Sequence, residues 1–360
     1  MPLSPHLSEP VDVVLHVGMG KTGTSSIQFF LRDHREALAA SGILYPTTPG
    51  RGRHHKLSLS VKSDDELARS PEWVRLEQDD SRTFRRAFRR KVLTEVEDSG
   101  LSRVLFSDEV LFGSSYPALR GLGKWLTRVA RTLRVVVYLR RQDEHLVSRY
   151  QEEVKIGETR RLDSWARQDF SGLYDYHARL RHHVDLLAPT ELVVRRYERD
   201  RFPGGSILQD FLDAAGVELD AAGPAGESDR NVGLDAESVE FLRLLNLHRV
   251  EHESATPGLI DNRDLVGRLA EASTGPTLTL PDAFLDEFMA QWGKPNEQVA
   301  REFLSDNSGT LFRVPRRSGG TTTEQRLDPA RIDHFLGVSE LPEEMRAPLQ
   351  TVAEREARSD

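Results

Sequence analysis

Residues 16–28 read HVGMGKTGTSSIQ and place three glycines, one lysine and four hydroxyl side chains within a dozen positions. Glycines let backbone N–H groups converge, a following helix adds its positive end, and a lysine adds a full charge, so the stretch is suited to an anion. Three phosphate loops can be read into it. GMGKTG is a literal dinucleotide fingerprint, but that chemistry needs an acidic residue about 20 positions on to hold a ribose, and SGILYP offers none. A triphosphate loop needs a glycine where Leu15 stands, although RVLFSDE imitates the apolar strand whose terminal acid holds magnesium in such enzymes. A kinase or nucleotidase therefore stays open. GKTGTSS fits neither pattern.

The third reading comes from likeness. GMGKTGTSS resembles the 5′-phosphosulfate loop of the sulfotransferases, G-x-x-K-T-G-T-[TS]-S, and matches it at Gly18, Lys21, Thr22, Gly23, Thr24, Ser25 and Ser26. The resemblance implies 3′-phosphoadenosine 5′-phosphosulfate (PAPS) as sulfuryl donor. It also implies a second site for the 3′-phosphate, made by an Arg ending a strand and a Ser eight residues later. YLRRQDEHLVSRY supplies both, as Arg140 and Ser148. An Arg fork gives charge-assisted bonds to phosphate and a Ser hydroxyl adds a donor; taken alone, Arg140 and Arg141 would pass for solvated charges. GILYP, LFSDEVLF, VVRRYERDRFPGGSILQDFLDAAGV and PNEQVAREFL look like blocks of bacterial members acting on glycans, lipids or small hydroxyl compounds, so the likeness covers about residues 10–305. Two positions depart from it: Arg141-Gln142 replaces the usual Asn-Pro, and Asp108 stands where Ser is common.

Sulfuryl transfer is an in-line displacement in which charge grows on the bridging oxygen of the leaving phosphate, and a cation there favours the transition state. The resemblance gives Lys21 this role, the amides of residues 23–26 and the hydroxyls of Thr22, Thr24 and Ser25 the 5′-phosphate, and requires no metal. A general base is expected; the family uses a Glu or a His, and Glu109, His55 and His54 are the candidates, in that order. Tyr197 packs on adenine or is a core tyrosine. Asn231 and Asn296 line the acceptor side or cap helices. HRVEH (248–252) is a literal H-x-x-E-H, which puts two zinc ligands on one helix face in some proteases, but no third ligand is evident. The basic run RGRHHK would attract an anionic acceptor or form a solvated loop. A relative that binds the nucleotide without catalysis is the remaining alternative.

These residues need elements to hold them. VDVVLHVG, RVLFSDE, RTLRVVVYLRRQ and TELVVRRYE are apolar, β-branched runs, SGILYP is a shorter extended piece, and helical periods alternate with them. One such helix carries Ile27, Phe30, Leu31, His34 and Leu38 on one face and stops at Gly42. The pattern predicts an α/β protein: a central parallel sheet flanked by helices, matching the three-layer P-loop-like sulfotransferase fold that the resemblance implies. Residues 1–310 are read as the sulfotransferase domain, with the core sheet at about 10–218 and a helical acceptor-side cover at about 230–310. Residues 311–360 are read as a flexible linker, RVPRRSGGTTTEQ, and a loosely attached helical appendage.

Composition bounds the partners. The 360-residue chain has 38% hydrophobic content, enough for one large core. With no cysteines, it can form no disulfide or thiolate metal site. A net charge of −8 argues against a nucleic-acid surface. No window approaches a membrane span, so the chain reads as soluble and cytoplasmic, with a hydroxyl-bearing acceptor as partner.

Overall fold

The computed structural model describes residues 7–77, 80–219, 233–316 and 322–358. In chain order its elements are β1 (Val11–His16), α1 (Thr24–Asp33), α2 (Arg35–Ala40), β2 (Ile43–Leu44), α3 (His55–Leu59), α4 (Asp64–Ala68), α5 (Pro71–Arg75), α6 (Ser81–Ser99), β3 (Arg103–Ser107), α7 (Tyr116–Leu126), β4 (Ala130–Leu139) and α8 (Gln142–Lys155). There follow α9 (Leu162–Trp165), α10 (Ser171–Tyr174), α11 (Tyr176–Leu187), β5 (Glu191–Arg196), α12 (Ile207–Ala215), α13 (Ala236–His252), α14 (Arg263–Ala272), α15 (Asp282–Ala290), α16 (Gly293–Leu304), α17 (Ile332–Ser339) and α18 (Arg346–Ala357).

Among the described residues the strands form one sheet in the order β2-β3-β1-β4-β5, every pair parallel. The alternation of side chains builds the layers. Val13 and Leu15 of β1 enter one core with Val104, Phe106, Val135 and Val137. Val14 points the other way, into a second core with Leu105, Val136, Ile27 and Leu31 of α1 and Phe211 and Leu212 of α12. The result is an α/β architecture of three layers, a parallel sheet between two helical faces. β1 lies where the strand order turns back, so its carboxyl end opens on the crevice where such sheets bind ligands.

Three expectations change. The first helix breaks at His34, whose ring Nδ1 bonds the Phe30 carbonyl at 2.9 Å and stacks on the Phe30 ring; α2 restarts beyond it and still buries Leu38. The linker is pinned wherever it is described, because its polar side chains find partners in the body: Arg316 pairs with Asp143, Asp282 and Asp286, and Gln325 Nε2 donates to the Tyr150 hydroxyl at 2.7 Å. Residues 317–321 lie outside the described residues. The tail is not loosely attached. Ile332, Phe335, Leu336, Leu349, Val352 and Ala353 are buried in the same core as the sheet, with α18 packed on α13.

Candidate active site

The glycine stretch starts as an extension of the sheet. Val17 N and Met19 N donate to the carbonyls of Val136 and Tyr138 at 3.1 and 3.0 Å, and Tyr138 N returns a bond to the Gly18 carbonyl at 2.7 Å. The chain then folds back through positive φ at Lys21 (62°) and Gly23 (75°). Gly18, at φ 98°, admits no side chain: a Cβ there would lie 2.8 Å from the Cα and Cβ of Glu109. Thr22 is buried and its hydroxyl donates to the Met19 carbonyl at 2.6 Å, closing the loop on itself. The Thr22 hydroxyl proton is thus committed to Met19 in this structure, which leaves the Thr22 amide to face the loop. Gly23 is the N-cap of α1 and supplies no side-chain cap; the first helical bond runs from Ile27 N to its carbonyl at 3.1 Å. The positive end of a 10-residue helix thus opens on the loop, with Thr24, Ser25 and Ser26 in its first turn.

The second cluster sits against the first. β4 ends one residue before Arg140, whose Nη1 donates to the Lys21 carbonyl at 3.0 Å and whose own carbonyl accepts from the Tyr176 hydroxyl at 2.7 Å. The Arg140 guanidinium lies 5.7 Å over the Tyr197 ring, and Tyr197 borders Gly23. Arg140 Nε is buried and makes no hydrogen bond, with Glu144 Oε2 3.5 Å away. Lys21 Nζ pairs with Glu152 Oε1 at 3.0 Å, and Glu152 also holds Lys155 at 2.8 Å. Burial would raise the Glu152 carboxyl, but Lys155 and Lys21 outweigh it and hold it below its ordinary value. Glu144 and Glu152 therefore share the face of α8 that looks at the loop. Half-buried Ser148, four residues from each, lies on that same face. Gln142, at the position of the usual proline, is buried and exchanges amide bonds with Asn296 at 2.7 and 3.2 Å, so α8 starts beside Arg141 despite the departure.

A buttress not legible in the motifs joins the two clusters. His145 of α8 is buried; its Nε2 lies 3.1 Å from the Gly20 carbonyl and its Nδ1 2.8 Å from the Tyr174 hydroxyl. Burial first, and then the charges of Arg149, Arg140 and Lys21, depress its pKa well below the usual value, so the ring is neutral. A carbonyl only accepts, which assigns the proton to Nε2 and leaves Nδ1 to receive the tyrosine hydroxyl.

The three base candidates separate. His54 is fully buried, stacked on Tyr45, with Nε2 3.0 Å from the Pro46 carbonyl and Nδ1 accepting from Ser107 N at 3.2 Å. Burial lowers it to about 3, so it is a structural ring rather than a base. His55 opens α3, half-buried, with Nδ1 3.4 Å from the Arg53 carbonyl; burial lowers it also. Glu109 begins a 3₁₀ turn (Glu109–Gly113) directly after β3 and packs on Gly18. Its Oε2 accepts from Gln28 Nε2 at 2.6 Å and its Oε1 is 3.3 Å from Arg53 Nε. Burial pushes its carboxyl up, against the pull of Arg53. Asp108, the other departure, is fully buried and occupied: it takes Arg53 Nε at 3.2 Å, Val110 N at 3.3 Å and Ser58 N at 3.0 Å.

The remaining candidates fall outside this constellation. Asn296 is the buried partner of Gln142, and Asn231 lies outside the described residues. His248 and His252 stand with ring centroids 4.9 Å apart, and among the described residues no group of three His, Asp or Glu could hold a metal ion. No described helix is long and apolar enough to cross a membrane.

No family model matches the chain. An uncharacterized protein of Archaeoglobus fulgidus is 27% identical over 221 residues, 60% of this chain and 54% of its own, so the match spans about half the length of that relative. The crystal structure of a sulfotransferase from Alicyclobacillus acidocaldarius aligns with a TM-score of 0.41 at 16% identity, over 68% of this chain and 95% of that one.

Proposed function

We propose that the protein is a sulfotransferase that moves a sulfuryl group from PAPS to an acceptor hydroxyl of a glycan, lipid or small molecule. One observation supports the reading most: Arg140, found in the sequence independently of the glycine loop, bonds the Lys21 carbonyl of that loop at 3.0 Å, so the strand-end arginine lies against the loop. The donor set suits a doubly phosphorylated nucleotide. A buried Arg140 Nε without a hydrogen bond and a helix end capped only by glycine are groups that an anion would satisfy.

In this reading the amides of residues 23–26 and the Thr24 and Ser25 hydroxyls hold the 5′-phosphate, Thr22 adding only its amide. Arg140 and Ser148 hold the 3′-phosphate, and Tyr197 packs on adenine. The bound donor supplies the sulfuryl group, whose bond to the phosphate oxygen breaks as the acceptor oxygen attacks in line. Lys21, released from Glu152, neutralises the charge left on that oxygen. Glu109 takes the acceptor proton, because its carboxylate flanks the first glycine while His54 is spent on structure. The kinase or nucleotidase alternative loses support at Asp108: the acid that would hold magnesium already satisfies Arg53 and two backbone amides.

The test incubates the full chain with labelled donor and a panel of glycans, lipids and small alcohols, and compares thermal shifts with 3′-phosphoadenosine 5′-phosphate (PAP) and with ATP plus magnesium. The expected result is stabilisation by PAP and labelled product that disappears in Lys21→Ala while PAP still binds. Stabilisation by ATP with magnesium and none by PAP returns the protein to the kinases.

A further inference from the structure

Glu109 is held from two sides by residues that no loop motif contains. Gln28 lies in α1, on the turn after the helix end that faces the loop, and is only 4% exposed among Ile27, Leu31 and the sheet. An amide buried there is costly unless bonded. Its Nε2 meets Glu109 Oε2 at 2.6 Å and reaches Ser107 Oγ at 3.4 Å, and Ser107 Oγ is in turn 2.8 Å from His16 Nδ1. A carboxylate only accepts, so the amide nitrogen must face it. On the other side Arg53 bridges Glu109, Asp108 and Glu72 at 3.3, 3.2 and 3.4 Å, tying the carboxylate to α5.

We propose that Gln28, together with Arg53, is a positioning residue that aims the Glu109 carboxylate at the acceptor hydroxyl. The inference rests on the sulfotransferase reading. One helix then sets both halves of the reaction geometry: its first turn faces the donor phosphate and its next turn fixes the base, so the spacing between them is built into α1. Each carboxylate oxygen keeps a lone pair for the incoming proton, and the Glu109 side chain, packed on Gly18, retains 19% exposure. The charged and titratable groups around it are Arg53 and Asp108, with Glu72 behind Arg53, Tyr45 after β2, and His16 behind Ser107. Arg53 and the Gln28 amide favour the ionised form; Asp108 and burial oppose it.

The experiment uses the full chain labelled with carboxyl-¹³C glutamate, the Glu109 signal being identified by its loss in Glu109→Gln. In Gln28→Met, which keeps the volume and removes the donor, the Glu109 titration midpoint is expected to move to higher pH. The acid limb of kcat/KM should move with it. kcat should fall roughly tenfold to a hundredfold, the worth of one charge-assisted hydrogen bond, with KM for the donor and the PAP thermal shift unchanged. Arg53→Met should move the midpoint further. Gln28→Asn, which falls one methylene short, gives the same readout if the Met variant does not fold. An unmoved Glu109 midpoint overturns the inference, whatever happens to the rate, and a drop in PAP binding with an unmoved acid limb makes Gln28 a packing residue of the loop. If wild-type protein moves no sulfate, the functional reading fails by itself, while the carboxyl titration still decides whether Gln28 poises Glu109.

Discussion

At Glu109 two fields oppose each other: burial disfavours the carboxylate, and the Arg53 guanidinium 3.3 Å away favours it. Burial prevails, so the folded protein holds this proton to higher pH than an exposed glutamate would. Activity that needs the ionised form must therefore rise through an acid limb above the ordinary carboxylate range. We expect Glu109→Gln to lower single-turnover sulfate transfer about 10²- to 10⁴-fold, the usual worth of a positioned base, and His55→Ala to leave the rate within about threefold. Rapid-quench measurement with labelled donor and saturating acceptor checks both, and a larger loss at His55 would exchange their roles. The family resemblance made Lys21 and Arg140 legible as candidates, because each belongs to a short motif at the end of a strand. Gln28, Arg53 and Glu152 were not legible, since they act on partners 81, 55 and 131 positions away along the chain. His54 and His55 looked alike for a related reason: only the fold buries one ring completely.

At the level of elements, the loop is held by what lies behind it as much as by its glycines. α8 grips the Gly20 carbonyl through His145, and α10 holds His145 through Tyr174, so a continuous chain of hydrogen bonds ties the loop to two helices. Tyr174→Phe removes the hydroxyl that fixes the imidazole, and His145→Phe removes both bonds while keeping the ring volume. Losing a buried hydrogen bond costs about 1–2 kcal/mol of stability, so both variants should melt lower than the wild type, and PAP affinity should fall by up to roughly five- to thirtyfold where the loop loses its shape. Calorimetric titration with PAP measures this, and undiminished affinity in His145→Phe would show that the loop keeps its shape unaided. The strands were readable because short apolar, β-branched runs mark them, most continuously in β4, where residues 135–139 are all buried. The break at His34 was hidden, because Leu38 keeps the helical period on both sides of it.

For the whole molecule, the decisive feature is that the C-terminal helices belong to the core. Composition suggested an appendage: RVPRRSGGTTTEQ has the residues of a spacer, and α18 carries little apolar character in sequence. Yet Leu349 and Val352 of α18 and Ile332 and Phe335 of α17 are at most 3% exposed. Arg243 of α13, itself 2% exposed, divides its guanidinium between Glu240 and Glu356 of α18. Glu356 also accepts from Arg161 through its carbonyl at 2.9 Å, next to the bonds that Gln325 makes with Tyr150 and Leu162. Burial of each large aliphatic or aromatic side chain contributes about 1.5–3 kcal/mol, so four such residues are comparable to the whole stability of an ordinary domain, about 5–15 kcal/mol. A chain ending at residue 326 should therefore lose its cooperative melting transition or melt far below the full chain, and should bind a dye for exposed apolar surface. Circular dichroism melting of the two chains side by side decides it. A truncated chain that melts within a degree or two of the full one would restore the appendage. The same docking brings the tail to α13, which packs on α8 and so stands behind the helix that carries Ser148 and Glu152. Loosening the tail at α18 should then be felt at the nucleotide crevice as weaker PAP binding, even though no tail residue reaches Lys21 among the contacts described.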